Sequence, residues 1–305
     1  MSMFEETRSF LKKLGLPAGD AYDLPSSAKR FGDGAHYRIE VPTINTASAM
    51  RALVEAADKN QVVINRVDET YGAFRHTTQE IQEYRSIARD WGLEVNLSVG
   101  PRAPYDTGAT VQTSQGVRIG YRLRGMEQVV RAIEDVKRVV DLGIRGILVY
   151  DEGLLWVLNE MRQAGELPEN LHLKVSAHCG HANPASFRLL AAQGADSINP
   201  VRDLQLPMIA ALRQAVDVPL DVHTDNPPAS GGFIRVYEAP EMVRIAAPVH
   251  LKTGNSAVGA HGSLTSEDDG VRMAAVATIT VEMVKRYFPE AKQTQRGDSD
   301  LAIPV

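Results

Sequence analysis

The chain has 305 residues, 33 basic and 38 acidic, for a formal charge of −5. That balance argues against a nucleic-acid binder, which carries a basic footprint. No stretch approaches the roughly 18 apolar residues of a membrane span. The single cysteine, Cys179, excludes an internal disulfide and any protein-only cysteine cage for zinc or iron–sulfur. The charged N-terminus, MSMFEETRSFLKKLG, lacks the apolar core of a signal peptide, so a cytosolic protein is expected.

Short β-branched runs alternate with segments of helical period. Strand patterns fall at 37–41, 62–67, 93–99, 144–150, 172–177, 196–199, 218–222 and 249–251. Helical patterns follow at 46–59, 76–91, about 125–141, 153–164, 184–193, 207–216, 240–246 and about 270–288. A polar loop of some twenty residues separates the third strand from its helix. Strands alternating with helices at this spacing pair in parallel. Eight such units in about 250 residues predict an α/β fold, a closed (β/α)8 TIM barrel. No Gly-x-Gly-x-x-Gly opens a helix after the first strand, which weakens the open dinucleotide-fold alternative. Residues 1–35 are expected to form a helix and loop closing the barrel bottom, 36–288 the catalytic barrel, and 289–305 a polar tail.

Chemistry in such a barrel sits where the strands end, and strand residues two apart share a face. Strand seven, Leu220-Asp221-Val222-His223-Thr224-Asp225, places Asp221, His223 and Asp225 on one face. Inward ionisable groups are costly unless they are paired or bind something. Strand five ends in His178-Cys179-Gly180-His181, and strand four in Asp151-Glu152. Glu152, His178 and His223, at the ends of three strands, form a candidate set for a divalent metal such as zinc, manganese or iron. Asp221, Asp225 and His181 are candidates for proton transfer. Asp151 suits a helix N-cap, and Cys179 a small buried role rather than a nucleophile. Lys252, inward on strand eight, is either ion-paired with a carboxylate such as Asp221 or a Schiff-base amine.

Asn65, Asn96 and Asn199 read as inward amides that orient a substrate, and Arg66, Arg102 and Arg202 as clamps for an anionic group. Two glycine-rich loops, around Gly231-Gly232 and Gly254, offer backbone N–H groups of the kind that bind phosphate in barrels.

The run GADSINPVRDLQLPMIAALRQAVDVPLDVHTD, from Gly194 to Asp225, resembles the collagenase-like peptidases, the thirty-second family of the unknown-type U peptidases. Members have a strand ending in arginine, an acidic residue and leucine, here Arg202, Asp203 and Leu204. A helix follows, then a Leu-Glu-Val strand that maps onto Leu220-Asp221-Val222. The resemblance implies a TIM barrel and peptidase activity. The family's His-Gly pair is replaced here by Asp225 and Asn226, and its later cysteines are missing, so neither collagenase nor iron–sulfur chemistry carries over.

The reading that results is a metal-dependent hydrolase or lyase of small, polar, anionic substrates. A Schiff-base aldolase or dehydratase on Lys252 and a true peptidase are the alternatives. Barrels of this size commonly form symmetric oligomers, so a homo-oligomer is expected, with neither nucleic acid nor membrane as a partner.

Overall fold

The computed structural model describes residues 4–21, 23–101, 113, 120–259 and 261–305. Eight parallel strands close into a barrel. They are β1 (Tyr37–Pro42), β2 (Arg66–Asp68), β3 (Glu94–Ser98), β4 (Gly146–Val149), β5 (His172–Val175), β6 (Ser197–Ile198), β7 (Leu220–His223) and β8 (Val249–Lys252). They pair in that order, and β8 closes onto β1. The helices are α1 (Glu5–Lys13), α2 (Ala47–Lys59), α3 (Thr78–Trp91), α4 (Gly125–Asp141), α5 (Glu152–Gln163), α6 (Pro184–Ala192), α7 (Leu206–Ala215), α8 (Ala239–Ala246) and α9 (Glu267–Tyr287). The (β/α)8 barrel expected from the alternation is thus the fold. No helix among the described residues is long and apolar enough to cross a membrane.

Strand alternation explains the two faces. Ile39, Val41, Val67, Val95, Leu97, Ile147, Val149, Leu173, Val175, Ile198, Leu220, Val222, Val249 and Leu251 are buried in the main hydrophobic core. Between them on the same strands stand charged or polar residues that are buried too, including Glu40, Arg66, Asp68, Glu94, Lys174, Asp221 and Lys252. Period-two side-chain direction sends one set toward the helices and the other into the barrel. The helices start on ordinary caps: Thr46, Thr77, Asp151, Asn183 and Ser266 each accept a backbone N–H of the first turn. Helix α9 returns against α2, and the approach needs Gly270, where a Cβ would sit 2.3 Å from the Ala49 carbonyl oxygen.

Both ends of the chain meet the barrel's N-terminal opening. Phe31 lies edge-on to His250, with ring centroids 5.2 Å apart, and under the Arg38 guanidinium at 4.0 Å. The residues after α9 run across the same opening. Gln293 bridges to Tyr37, Thr294 accepts from Arg38 at 3.0 Å, and the Ala302 N–H donates to Glu94 at 2.9 Å. Arg38 also pairs with Asp300 at 2.5 Å. The polar composition of 289–305 therefore reflects partners inside the barrel's N-terminal opening rather than solvent alone.

Candidate active site at the barrel mouth

The barrel interior is an ion network. Arg66 pairs with Glu94, with Asp221 at 3.3 Å and with Glu40 at 3.4 Å. Lys174 pairs with Glu40, with Asp68 at 2.9 Å and with Asp221 at 3.5 Å. Lys252 sits between Asp68 at 2.5 Å and Glu40 at 2.7 Å. Asn96 donates to Asp68 at 2.9 Å. The Asn96 side chain leaves no room for a Cβ at residue 146, where it would lie 2.2 Å from the Asn96 Oδ1, hence Gly146. Charges buried at this density persist only when each is paired.

The network sets the protonation states. Burial works against the charge on Asp68 and on Asp221, but Lys174 with Lys252 at Asp68, and Lys174 with His250 and Arg66 at Asp221, together outweigh it, and each carboxyl is held below its ordinary value. Burial opposes the charge on Lys252, yet Asp68 and Glu40 together raise its pKa above the usual ammonium range. Glu40 goes the other way, pushed up to about 7 by burial and then by the neighbouring Asp68.

Above this network, on the C-terminal side, lies a narrow pocket with a cavity volume of about 10 Å³. His178, Arg202, His223, Lys252, Asn199 and Asn255 are among its lining residues. His223 closes β7, and the register sets it beside Lys252 of β8. It is 3 % exposed, and among the described residues neither ring nitrogen has a side-chain hydrogen-bond partner, its polar contact being to the Asp225 backbone. Burial first, then Lys252, Arg202 and Lys174, pull its pKa well below the ordinary imidazole value, so it is neutral. Arg202 donates to His178 Nε2 at 2.9 Å, which makes that nitrogen an acceptor and His178 neutral. Tyr121 stacks on His178 with ring centroids 4.2 Å apart, and His261 lies 4.3 Å from the same ring. Asn199 donates to the Asp221 carbonyl at 2.5 Å and so ties β6 to β7 under the pocket.

Several residues singled out in the sequence stand elsewhere. The metal set does not assemble. Glu152 pairs with Arg122 and with His181 at 2.5 Å, and its ligand atoms do not converge with those of His178 and His223. Among the described residues the one group with converging ligand atoms is Glu40, Asp221 and His250, within 4.8 Å of one another. Lys174 and Arg66 already pair with both of those carboxylates, and Lys252 with Glu40, so this trio suits a cation poorly. His181 is bound up in the Glu152 pair, and burial with Arg122 lowers its pKa. Asp225 accepts from the Gly254 N–H at 2.8 Å and the Ser256 N–H at 2.6 Å, so it fixes the loop after β8 rather than facing the pocket.

Asn65 and Arg66 move from the rim to the other half of the barrel. The sequence pattern runs the second strand from residue 62, whereas pairing begins at Arg66, opposite Glu40. The preceding Asn65 spends its side chain on the Ile39 N–H and the Thr294 carbonyl. The glycine loops hold no spare donors at the expected positions. The Gly231 and Gly232 amides close a turn on Pro228 and Pro227, and that of Gly254 is on Asp225. Arg102 lies outside the described residues. Lys252 is ion-paired, with Glu40 and Asp68 rather than Asp221. Asp151 caps α5, and Cys179 is buried, its thiol pushed up to about 12 by burial. Glu40, Asp68, Lys174 and Asn255 were passed over, although the alternation Arg38-Ile39-Glu40-Val41 and Leu173-Lys174-Val175 carries the signal for two of them.

Comparison with known proteins bears on fold and family. Among curated proteins no sequence match was found. A Rubisco-like protein from Rhodopseudomonas palustris is similar in structure at TM-score 0.51 and 13 % identity, over 87 % of this chain and 70 % of that one. Octameric ribulose-1,5-bisphosphate carboxylase/oxygenase from Pyrococcus horikoshii gives 0.50 and 11 %, over 84 % and 60 %. The U32 peptidase Mk0906 gives 0.40 and 20 %, over 67 % and 74 %. The family model described as Peptidase family U32 matches residues 122–226. That segment runs from Arg122 through β4 to β7, carries His178, Arg202 and His223, and is where this chain is similar to peptidase family U32.

Proposed function

We propose that the chain is an enzyme that moves a proton on a small, polar, anionic substrate held in the mouth pocket, in a lyase or isomerase type of reaction. The observation that carries this reading is His223, neutral, buried and without a side-chain hydrogen-bond partner among the described residues, beside the ammonium of Lys252. Two adjacent groups whose surroundings drive their pKa values apart make a base and an acid. His223 accepts the proton, and the Lys252 ammonium stabilises the oxyanion that forms. A protonated lysine is no amine nucleophile, so borohydride in the presence of substrate is expected to leave the protein mass unchanged.

Metal dependence is a second reading, favoured only by the convergence of Glu40, Asp221 and His250. Elemental analysis separates the two: the proton-transfer reading expects far less than one equivalent of zinc, manganese or iron in protein that retains activity. Hydrolysis of peptides rests on the family match alone.

The test is solvent exchange. The protein is incubated in D2O with a panel of small oxo and hydroxy acids, and loss of C–H signal is followed by proton NMR. Exchange that falls about 10²-fold or more in His223→Gln supports the reading. Equal exchange in that variant overturns it.

A further inference from the structure

Resting on that reading of the pocket, we propose that Arg202 is the substrate's anchor and that the group it takes is a carboxylate. Arg202 stands at the pocket wall just after β6. Of its five N–H donors one goes to His178, and no carboxylate of the described residues pairs with it. Its Nε is buried without a hydrogen-bond partner among the described residues. Every other cation lining this pocket or lying beneath it is spoken for, since Lys252 and Lys174 share Glu40, Asp68 and Asp221. Arg202 is thus the pocket cation that no carboxylate among the described residues pairs with, and an incoming monoanion supplies that partner.

The choice of carboxylate over phosphate follows from the loops. A phosphate site in a barrel uses several backbone N–H groups, and here the amides of Gly231, Gly232, Gly254 and Ser256 are already bound internally. What remains is a planar guanidinium edge, which matches the two oxygens of a carboxylate. His178 positions that edge by accepting the Nη2 proton, and Tyr121 stacked behind His178 holds the imidazole in place.

Isothermal titration with acetate, pyruvate, lactate and inorganic phosphate tests the assignment. At least one carboxylate is expected to bind, with affinity at least tenfold weaker in Arg202→Gln and intermediate in Arg202→Lys. Inorganic phosphate is expected to bind more weakly than that carboxylate. Circular dichroism and the urea midpoint show whether each variant is folded, and Arg202→Lys keeps the charge if Arg202→Gln is not. Tighter binding of phosphate, unchanged carboxylate affinity in both variants, or no carboxylate binding at all would overturn the anchor. The two readings fail separately. Binding unaffected in Arg202→Gln with exchange lost in His223→Gln removes the anchor and leaves the base. Binding lost in Arg202→Gln with exchange intact in His223→Gln does the reverse.

Discussion

His223 occupies a position that folding alone would not select. A buried polar group without a partner costs about 1–3 kcal/mol, and leucine would fill the same volume without that cost. The His223→Leu variant is therefore expected to match or exceed the parent in urea stability while losing solvent exchange. A drop of more than about 2 kcal/mol would mean that the ring is structural. Gly146 is the opposite case. Gly146→Ala forces a Cβ to within 2.2 Å of the Asn96 Oδ1 and 2.4 Å of the Val95 carbonyl oxygen. Its urea midpoint is expected to correspond to a loss of about 1–3 kcal/mol, and an unchanged midpoint would show that Asn96 swings aside freely.

At the scale of elements, the segment after α9 acts as a strap across the barrel's N-terminal opening. It brings Thr294, Asp300 and the Ala302 amide to Arg38 and Glu94, two charges that lie almost wholly buried. Deleting residues 289–305 is expected to cost about 3–5 kcal/mol, as breaking a buried charge network does, and an unaltered melting temperature would contradict that role. The β–α order was legible because outward residues are aliphatic at period two and helices follow at regular spacing. The site was legible only where parity and strand end coincide. His178, Arg202, His223 and Lys252 stand at or just past strand ends and do meet at one pocket. Asn65 and Arg66 were misplaced because Val62–Ile64 looks like strand while the ladder starts four residues later. The parity of strand seven also stops at Thr224, where the chain turns into a two-stranded ribbon and Asp225 points to the β8 loop. Parity says which face a residue takes, but not which distant side chain will neutralise it. The pairing of Lys252 with Asp68 spans 184 positions and leaves no local trace.

At the scale of the whole molecule the buried titratable groups make stability depend on pH with a definite sign. Burial lowers the pKa of His223 and takes that of His250 to about 3, so below pH 6.5 the unfolded chain binds protons that the folded one refuses. Their contribution is present above pH 6.5 and is lost as the pH falls. Glu40, raised to about 7, works against them, because the folded state holds its proton between about 4.5 and 7. His36, His172 and His181 are lowered as well and His76 is raised, so the lowered histidines outnumber the groups that oppose them and acidification brings a net loss of stability. Asp68 and Asp221, both held below their ordinary values, add to the loss below pH 4. The urea midpoint is expected to be lower at pH 5.5 than at pH 7.5, and a higher midpoint at pH 5.5 would reverse the assigned protonation states.

The mouth pocket as a working site, with a neutral His223 inside it, is tested most directly by nitrogen-15 NMR of the histidine rings, with His223→Gln to assign the signal. The ring nitrogens of His223 are expected to stay those of a neutral imidazole from pH 8 to pH 5 and to shift when a bound carboxylate enters the pocket. A signal that titrates near 6.5, or that ignores a carboxylate shown to bind, would contradict the account.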